Sequence, residues 1–245
     1  GVQTFAPHIQ QAIGRIQPLS HIERVVAGLR LRDIDAINFD LMYGLPGQTL
    51  ADLDETLEET IRLAPSRISL FGYAHLPNMI PRQRQIDASN LPDHELRFEQ
   101  ARRGYERLTD AGYVPVGFDH FALPSDPLAD AARDGRVSRN FQGFTEDDSP
   151  VLIGIGASAI SRFPDLIVQN EKRAGVYRDL IAADQLTAVR GVAIDADDRE
   201  RGRVIKELLC HGTTCLDARW LKSARAALAP FERLNILRWE GERLV

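Results

Sequence analysis

Two apolar runs constrain most strongly what this chain can fold into. "AINFDLMY" (36–43) and "RISLFGYAHL" (67–76) each read as a buried strand, and "TLADLDETLEETIRLAPS" (49–66) lies between them. In that insert Leu53, Leu57 and Ile61 recur at helical spacing, Thr49 and Asp52 have the form of a capping box, and Pro65 ends the pattern. Strand, full helix, strand predicts a parallel crossover. Upstream, "GVQTF" looks like the end of a strand. "SHIERVVAGLRLRDI" follows it, with Ser20 and Glu23 at capping-box spacing and Ile22, Val25, Val26 and Leu29 on one helical face. The expected class is α/β, with the βα repeat of a parallel sheet or barrel.

After His75 the rhythm changes. Residues 76–90 hold two prolines and no clear period, which predicts a long functional loop. A helix is expected over 91–113, stopped by Gly112, then a strand over 114–123 and a short helix closed by Gly135. "RNFQGF" (139–144) reads as neither helix nor strand. "VLIGIGASAIS" (151–161) is apolar, with glycines that allow a close backbone approach. From about Asp195 come three helical patterns, 196–210, 216–229 and 230–235, then a hairpin around Glu240-Gly241. The expected division is therefore 1–194 and a mostly helical, winged-helix-like module at 195–245.

Composition excludes some functions. A net charge of −5 and a second C-terminal helix without a basic stripe give no support to a nucleic-acid surface. No apolar run approaches the roughly 18 residues of a membrane span. Two cysteines, Cys210 and Cys215, make a disulfide framework improbable and a cytoplasmic setting natural. The chain starts at Gly1 without a methionine, so a fragment of a longer protein is the expectation.

Several polar groups fall at strand ends or glycine turns: Gln3, Asp40, His75 and the pair Asp119-His120. Asp40 stands inside an apolar strand just before Gly44-Leu45-Pro46-Gly47. It is either a hydrogen-bonded strand-end carboxylate or a ligand contact at the carboxyl end of a parallel strand. No nucleophile elbow, P-loop, H-E-x-x-H or dinucleotide fingerprint occurs. The residues alone lead to an α/β protein with a site at its strand ends.

A set of motifs carries more. "GVQTF", "NFDLMYGLPGQT", "FGYAHLP", "QRQID", "GFDHFALPSDPLADAARDGRVSRNFQGF" and "IGASAIS" together resemble the oxygen-independent coproporphyrinogen III oxidases, in order from residue 1 to about 215. The related heme chaperones share "YGLPGQT" and form the alternative reading, a binding protein without oxidase activity. "DHFALP" with "RNFQGF" favours the oxidases.

The resemblance implies the second half of a partial (β/α)6 barrel plus a helical C-terminal domain. It implies a radical S-adenosylmethionine (SAM) enzyme of heme biosynthesis. There a [4Fe–4S] cluster, fed by an electron donor, cleaves SAM, and two propionates of coproporphyrinogen III become vinyl groups with loss of CO2. It assigns Gln3, Arg15, Asp40, Ala74 and Ile160 to SAM. His75, His120, Arg139, Asn140, Gln142 and Arg162 are candidates for the substrate propionates. The family's C-x3-C-x2-C cluster motif is absent from this sequence, so the chain is expected to bind no cluster and to be inactive alone.

Overall fold

The computed structural model describes residues 1–245, which form two compact units, Gly1–Arg136 and Val137–Val245. The boundary expected at 194/195 falls inside the second unit, between a strand and the helix that follows it.

The first unit runs α1 (Pro7–Ala12), α2 (Leu19–Arg30), β1 (Asn38–Tyr43), α3 (Leu50–Leu63), β2 (Arg67–Gly72), α4 (His94–Asp110), β3 (Val114–Val116), β4 (His120–Ala122) and α5 (Pro127–Arg133). Two 3₁₀ turns, Pro81–Gln85 and Ala88–Asn90, lie in the loop between β2 and α4. The crossover is as expected: β1 and β2 pair in parallel, Asp40 opposite Ser69, with α3 between them. α3 begins with the predicted capping box, in which Thr49 Oγ1 accepts from Asp52 N and Asp52 accepts from Thr49 N. The Ser20–Glu23 box does not form. α2 starts at Leu19 from the Pro18 carbonyl, so Ser20 is already inside the first turn and cannot cap it.

The sheet is mixed rather than parallel. The run 114–123 is a hairpin, β3 and β4, with Val116 opposite His120 across a three-residue turn in which Gly117 has φ +61°. β4 pairs antiparallel to β2, giving the order β1-β2-β4-β3. On the outer side of β1, Gln3 forms a parallel bridge with Leu41, through Gln3 N to Asp40 O at 2.7 Å and Met42 N to Gln3 O at 2.8 Å.

Side-chain alternation along β1 separates two faces. Phe39 and Leu41 are buried against Leu53, Leu57, Ile68 and Leu108 in the main core, under α3 and α4. Asn38, Asp40 and Met42 occupy the opposite face. Asp40 is thus no exception to an apolar strand: β1 is buried on one side and carries its polar residues on the other.

Tyr113 closes this core, 4% exposed, and donates from Oη to the Pro65 carbonyl at 2.9 Å. Burial pushes its phenol from an ordinary value of 10.0 up to about 12, with Arg30 pulling slightly the other way. A raised folded-state value favours the protonated form. Its contribution is complete below the unfolded chain's value near 10 and is lost as pH rises through about 12. Tyr113→Phe is therefore expected to lose about 1 kcal/mol at neutral pH and to unfold with a flatter pH dependence between those two values. Urea titrations of both proteins across that window check it; equal slopes would refute the assignment.

The second unit contains β5 (Ser138–Asn140), β6 (Gly143–Thr145), β7 (Ile160–Arg162), β8 (Leu166–Asn170), α6 (Ala174–Ala182), β9 (Ala188–Ala193), α7 (Ala196–His211), β10 (Thr214–Cys215), α8 (Ala218–Arg233), β11 (Trp239–Glu240) and β12 (Arg243–Leu244). "RNFQGF" is part of a hairpin, β5-β6, turning at Phe141-Gln142, contrary to expectation. Its pattern is too short for alternation to show. The glycine expectation for 151–161 holds at Gly154, where an added Cβ would lie 2.6 Å from the Ile160 carbonyl oxygen.

β7, β8 and β9 make an antiparallel sheet over a stretch that carried no expected elements beyond Ile160 and Ser161. The helical patterns 216–229 and 230–235 are one helix, α8, with Pro230 inside it. Pro230 sits in the last turn and leaves the Ala226 carbonyl without its helical donor, yet the helix runs on to Arg233. The C-terminal hairpin forms as expected and β10 adds to it, in the order β10-β12-β11. No helix is long and apolar enough to cross a membrane.

Candidate functional site

In the first unit the polar face of the sheet carries the candidates. Asp40, Ser69 and His120 are cross-strand partners, Asp40 to Ser69 in parallel and Ser69 to His120 antiparallel. Partners in register share a face, so a carboxylate, a hydroxyl and an imidazole form one row across three strands. His120 reaches this row because β4 runs antiparallel, which puts its first residue where a parallel strand would place its last. Its Nδ1 lies 2.6 Å from Asp119 Oδ1, and its ring stands edge-on to Phe71 at 5.7 Å.

Asp40 has one oxygen held by Asn38, Nδ2 donating to Oδ1 at 2.7 Å, and its side chain is 41% exposed. Its other oxygen is 4.0 Å from the Gly1 amino group. Gln3 has a left-handed backbone, φ +70°, and its buried Oε1 has no hydrogen-bond partner. A Cβ built on Gly1 would meet Gln3 Nε2 at 2.5 Å and Asp40 Cβ at 2.6 Å, so both side chains crowd that glycine. Arg15 donates from Nη2 to the Gly1 carbonyl at 2.7 Å and from Nε to Gln17 Oε1 at 3.0 Å. Gln3, Arg15 and Asp40, far apart in sequence, therefore gather around residue 1.

Ala74 and His75 follow β2. The Ala74 carbonyl accepts from Gln83 Nε2 at 2.9 Å, which ties the strand end to the first 3₁₀ turn. His75 Nδ1 lies 3.1 Å from Tyr73 Oη. Burial pushes the Tyr73 phenol up from its ordinary value.

In the second unit Arg139, Asn140 and Arg162 line one cleft with Ser138, Phe141, Asp147, Ser149 and Leu152. Arg162 enters it from β7 through a paired backbone bridge to Leu152. Arg139 lies over the Phe144 ring at 5.0 Å. Asn140 Oδ1 accepts from Gln142 N at 2.8 Å, while Gln142 itself is exposed in the turn. Asp147 holds a counter-charge in the cleft; hydrogen bonds from the Ser149 hydroxyl and N–H keep its carboxyl below the usual range. Ile160 is half-buried on β7. Cys210 and Cys215 are free thiols, and burial pushes Cys210 up against the opposing pull of Lys206 and Arg139.

No family model matches the chain. An oxygen-independent coproporphyrinogen III oxidase from Bradyrhizobium diazoefficiens is 42% identical, over 100% of this chain and 56% of the relative. The same enzyme from Pseudomonas aeruginosa is 43% identical over 86% of the chain and 46% of the relative. The solved coproporphyrinogen III oxidase of Escherichia coli, described as a radical SAM enzyme, superposes with a TM-score of 0.90 at 33% identity, over 100% of this chain and 58% of that one. The chain belongs to the oxygen-independent coproporphyrinogen III oxidase family. It spans about half the length of the curated relatives it matches. The heme-chaperone alternative finds no support among them.

Four residues of the family's "YGLPGQT" region and its neighbour α4 escaped sequence reasoning. Gln100, fully buried, accepts from Gly44 N at 3.0 Å and donates to the Gln48 carbonyl at 2.9 Å. Gln48 accepts from Leu45 N and donates to the Met42 carbonyl. Together they shape the turn after β1. Tyr43 and Arg97 stand over the same turn. Gln100 had a signal: an amide on the apolar face of a helical pattern, where a buried polar group needs partners.

Proposed function

We propose that this chain is the part of an oxygen-independent coproporphyrinogen III oxidase that contributes SAM contacts and propionate contacts, acting in the cytoplasm. In this reading its first unit is the later half of a partial (β/α)6 barrel, and residues 195–245 are a winged-helix-like module. The observation that carries it is the gathering of Gln3, Arg15 and Asp40 around Gly1 in a chain matched along its whole length by the family.

These residues suit SAM. The buried Gln3 Oε1 lacks a partner and is available to a ligand donor. Asp40 offers a half-exposed carboxylate to a ribose hydroxyl, an amine or the field of a sulfonium. Arg15 already bonds a carbonyl at that point and holds the segment that presents Gln3. Bound in the complete enzyme and reduced by the cluster that this chain does not hold, SAM would supply the radical chemistry for hydrogen removal from a propionate side chain. The residues do not suit a [4Fe–4S] cluster: the two cysteines belong to no group of three or more metal-ligating side chains. On the substrate side, Arg139 and Arg162 bring two guanidinium groups to one cleft, a donor set matched to carboxylates. His75 and His120 are proposed as further propionate donors, with Asn140 and Gln142 shaping the β5-β6 turn beside the cleft.

Asp40→Asn keeps the shape and removes the charge. It is expected to weaken SAM binding about tenfold, the loss of one charge-assisted contact. Isothermal titration of SAM into the wild type and variant reads this directly. Equal affinity in the two would remove Asp40 from the site, and no binding to the wild type would remove SAM from this chain.

A further inference from the structure

We propose that Arg97 and Tyr43 form a carboxylate-binding site over the carboxyl ends of β1 and β2. Arg97 lies in the first turn of α4, half-buried. A Cβ built on Gly44 would lie 2.9 Å from its Nη1, and one on Gly72 would lie 3.4 Å from its Nη2. The guanidinium therefore rests between the residue that follows β1 and the residue that ends β2. Tyr43 Oη meets the same point, 2.9 Å from the Gly72 Cβ position. Two donors converge beside Gly72, which is exposed, with the buried Gly44 beneath Arg97.

Neither donor has an acceptor within the protein. The other half-buried arginines of the first unit have a carboxylate nearby: Arg67 pairs with Asp126 at 2.8 Å, and Arg103 and Arg107 face Asp54 at 3.6 and 3.8 Å. Arg97 reaches no carboxylate or carbonyl. Helix stability gives no reason for it either, since a cation in a first turn opposes the helix dipole. The missing side chains of Gly44 and Gly72 make room for Arg97 and Tyr43, which pack directly on the two glycines. A half-buried guanidinium beside a phenol, facing solvent at the strand ends, is a donor set for a planar, doubly accepting anion.

The donor set fits an oxyanion, and among the ligands of the function proposed above the oxyanions are carboxylates. The source of the carboxylate, a substrate propionate or the methionyl carboxylate of SAM, rests on that function.

The test reads Arg97 itself. The 245-residue protein is labelled with phenylglyoxal, and the rate at Arg97 is followed by peptide mass spectrometry. Labelling is repeated with sodium propionate, coproporphyrin III, its tetramethyl ester or SAM at matched ionic strength. Affinities for SAM and coproporphyrin III are measured on wild type, Arg97→Gln and Arg97→Lys. The expected result is several-fold protection by free carboxylates and none by the ester. Arg97→Gln should bind its carboxylate ligand about tenfold more weakly, with partial recovery in Arg97→Lys. Whichever of SAM or coproporphyrin III loses affinity is the source. Protection by propionate in a protein that binds neither larger ligand would support the site and overturn the heme-pathway reading instead. Unchanged labelling with every carboxylate, equal protection by the ester, or wild-type affinity in Arg97→Gln would overturn the site.

Discussion

Asp126→Ala is expected to cost the protein about 3–5 kcal/mol, because it removes one partner of a buried ion pair and a helix cap together. Asp126 is 6% exposed. It accepts from Arg67 Nε at 2.9 and 3.0 Å through its two oxygens and pairs with Arg67 Nη2 at 2.8 Å. It also caps α5 by accepting from Leu128 N at 2.8 Å. One carboxylate thus ties β2 to the helix that follows the β3-β4 hairpin. Asp126→Asn keeps the cap and loses the charge, so it should fall between wild type and alanine. Urea unfolding followed by far-UV circular dichroism measures all three. A loss below about 1 kcal/mol for alanine would mean that Arg67 finds full compensation elsewhere.

Gln100→Leu has the next largest expected effect, about 2–4 kcal/mol. Leucine fills similar space, so the cost comes from polar groups rather than from a cavity. The substitution strips the Gly44 N–H and the Gln48 carbonyl of their partner while leaving them buried, at about 1–3 kcal/mol for each. It also loosens the turn after β1, where Gly44 adopts φ +76°, and Gln100 itself lies one helical turn from Arg97. The variant should therefore lose carboxylate protection at Arg97 along with stability. Hydrogen exchange at residues 43–48 separates the two effects. Wild-type protection there, with wild-type stability, would show that the turn holds its shape without Gln100.

Much of this is legible in the amino-acid sequence. The β1-α3-β2 crossover followed from two apolar runs spaced by a capped helical pattern, because a helix of that length returns the chain to start a parallel neighbour. Thr49 was read correctly as a cap and Ser20 was not. The same motif occurs at both positions, and only the backbone of Pro18 decides that α2 has already begun. The family was legible too, since its motifs are local and ordered along the chain.

The sequence by itself determined the class of fold, the crossover, the C-terminal hairpin and the family, all of which depend on near neighbours. Only the tertiary structure decided the direction of β4. Apolar residues continue through "VPVGFDHFAL", and periodicity alone does not register that Gly117 turns the chain back. That reversal is what sets His120 in a row with Ser69 and Asp40. Only the tertiary structure likewise brought Arg97 over Gly44 and Gly72. Register and convergence are properties of two segments at once, fixed by which faces the core buries, and no single stretch of sequence contains them.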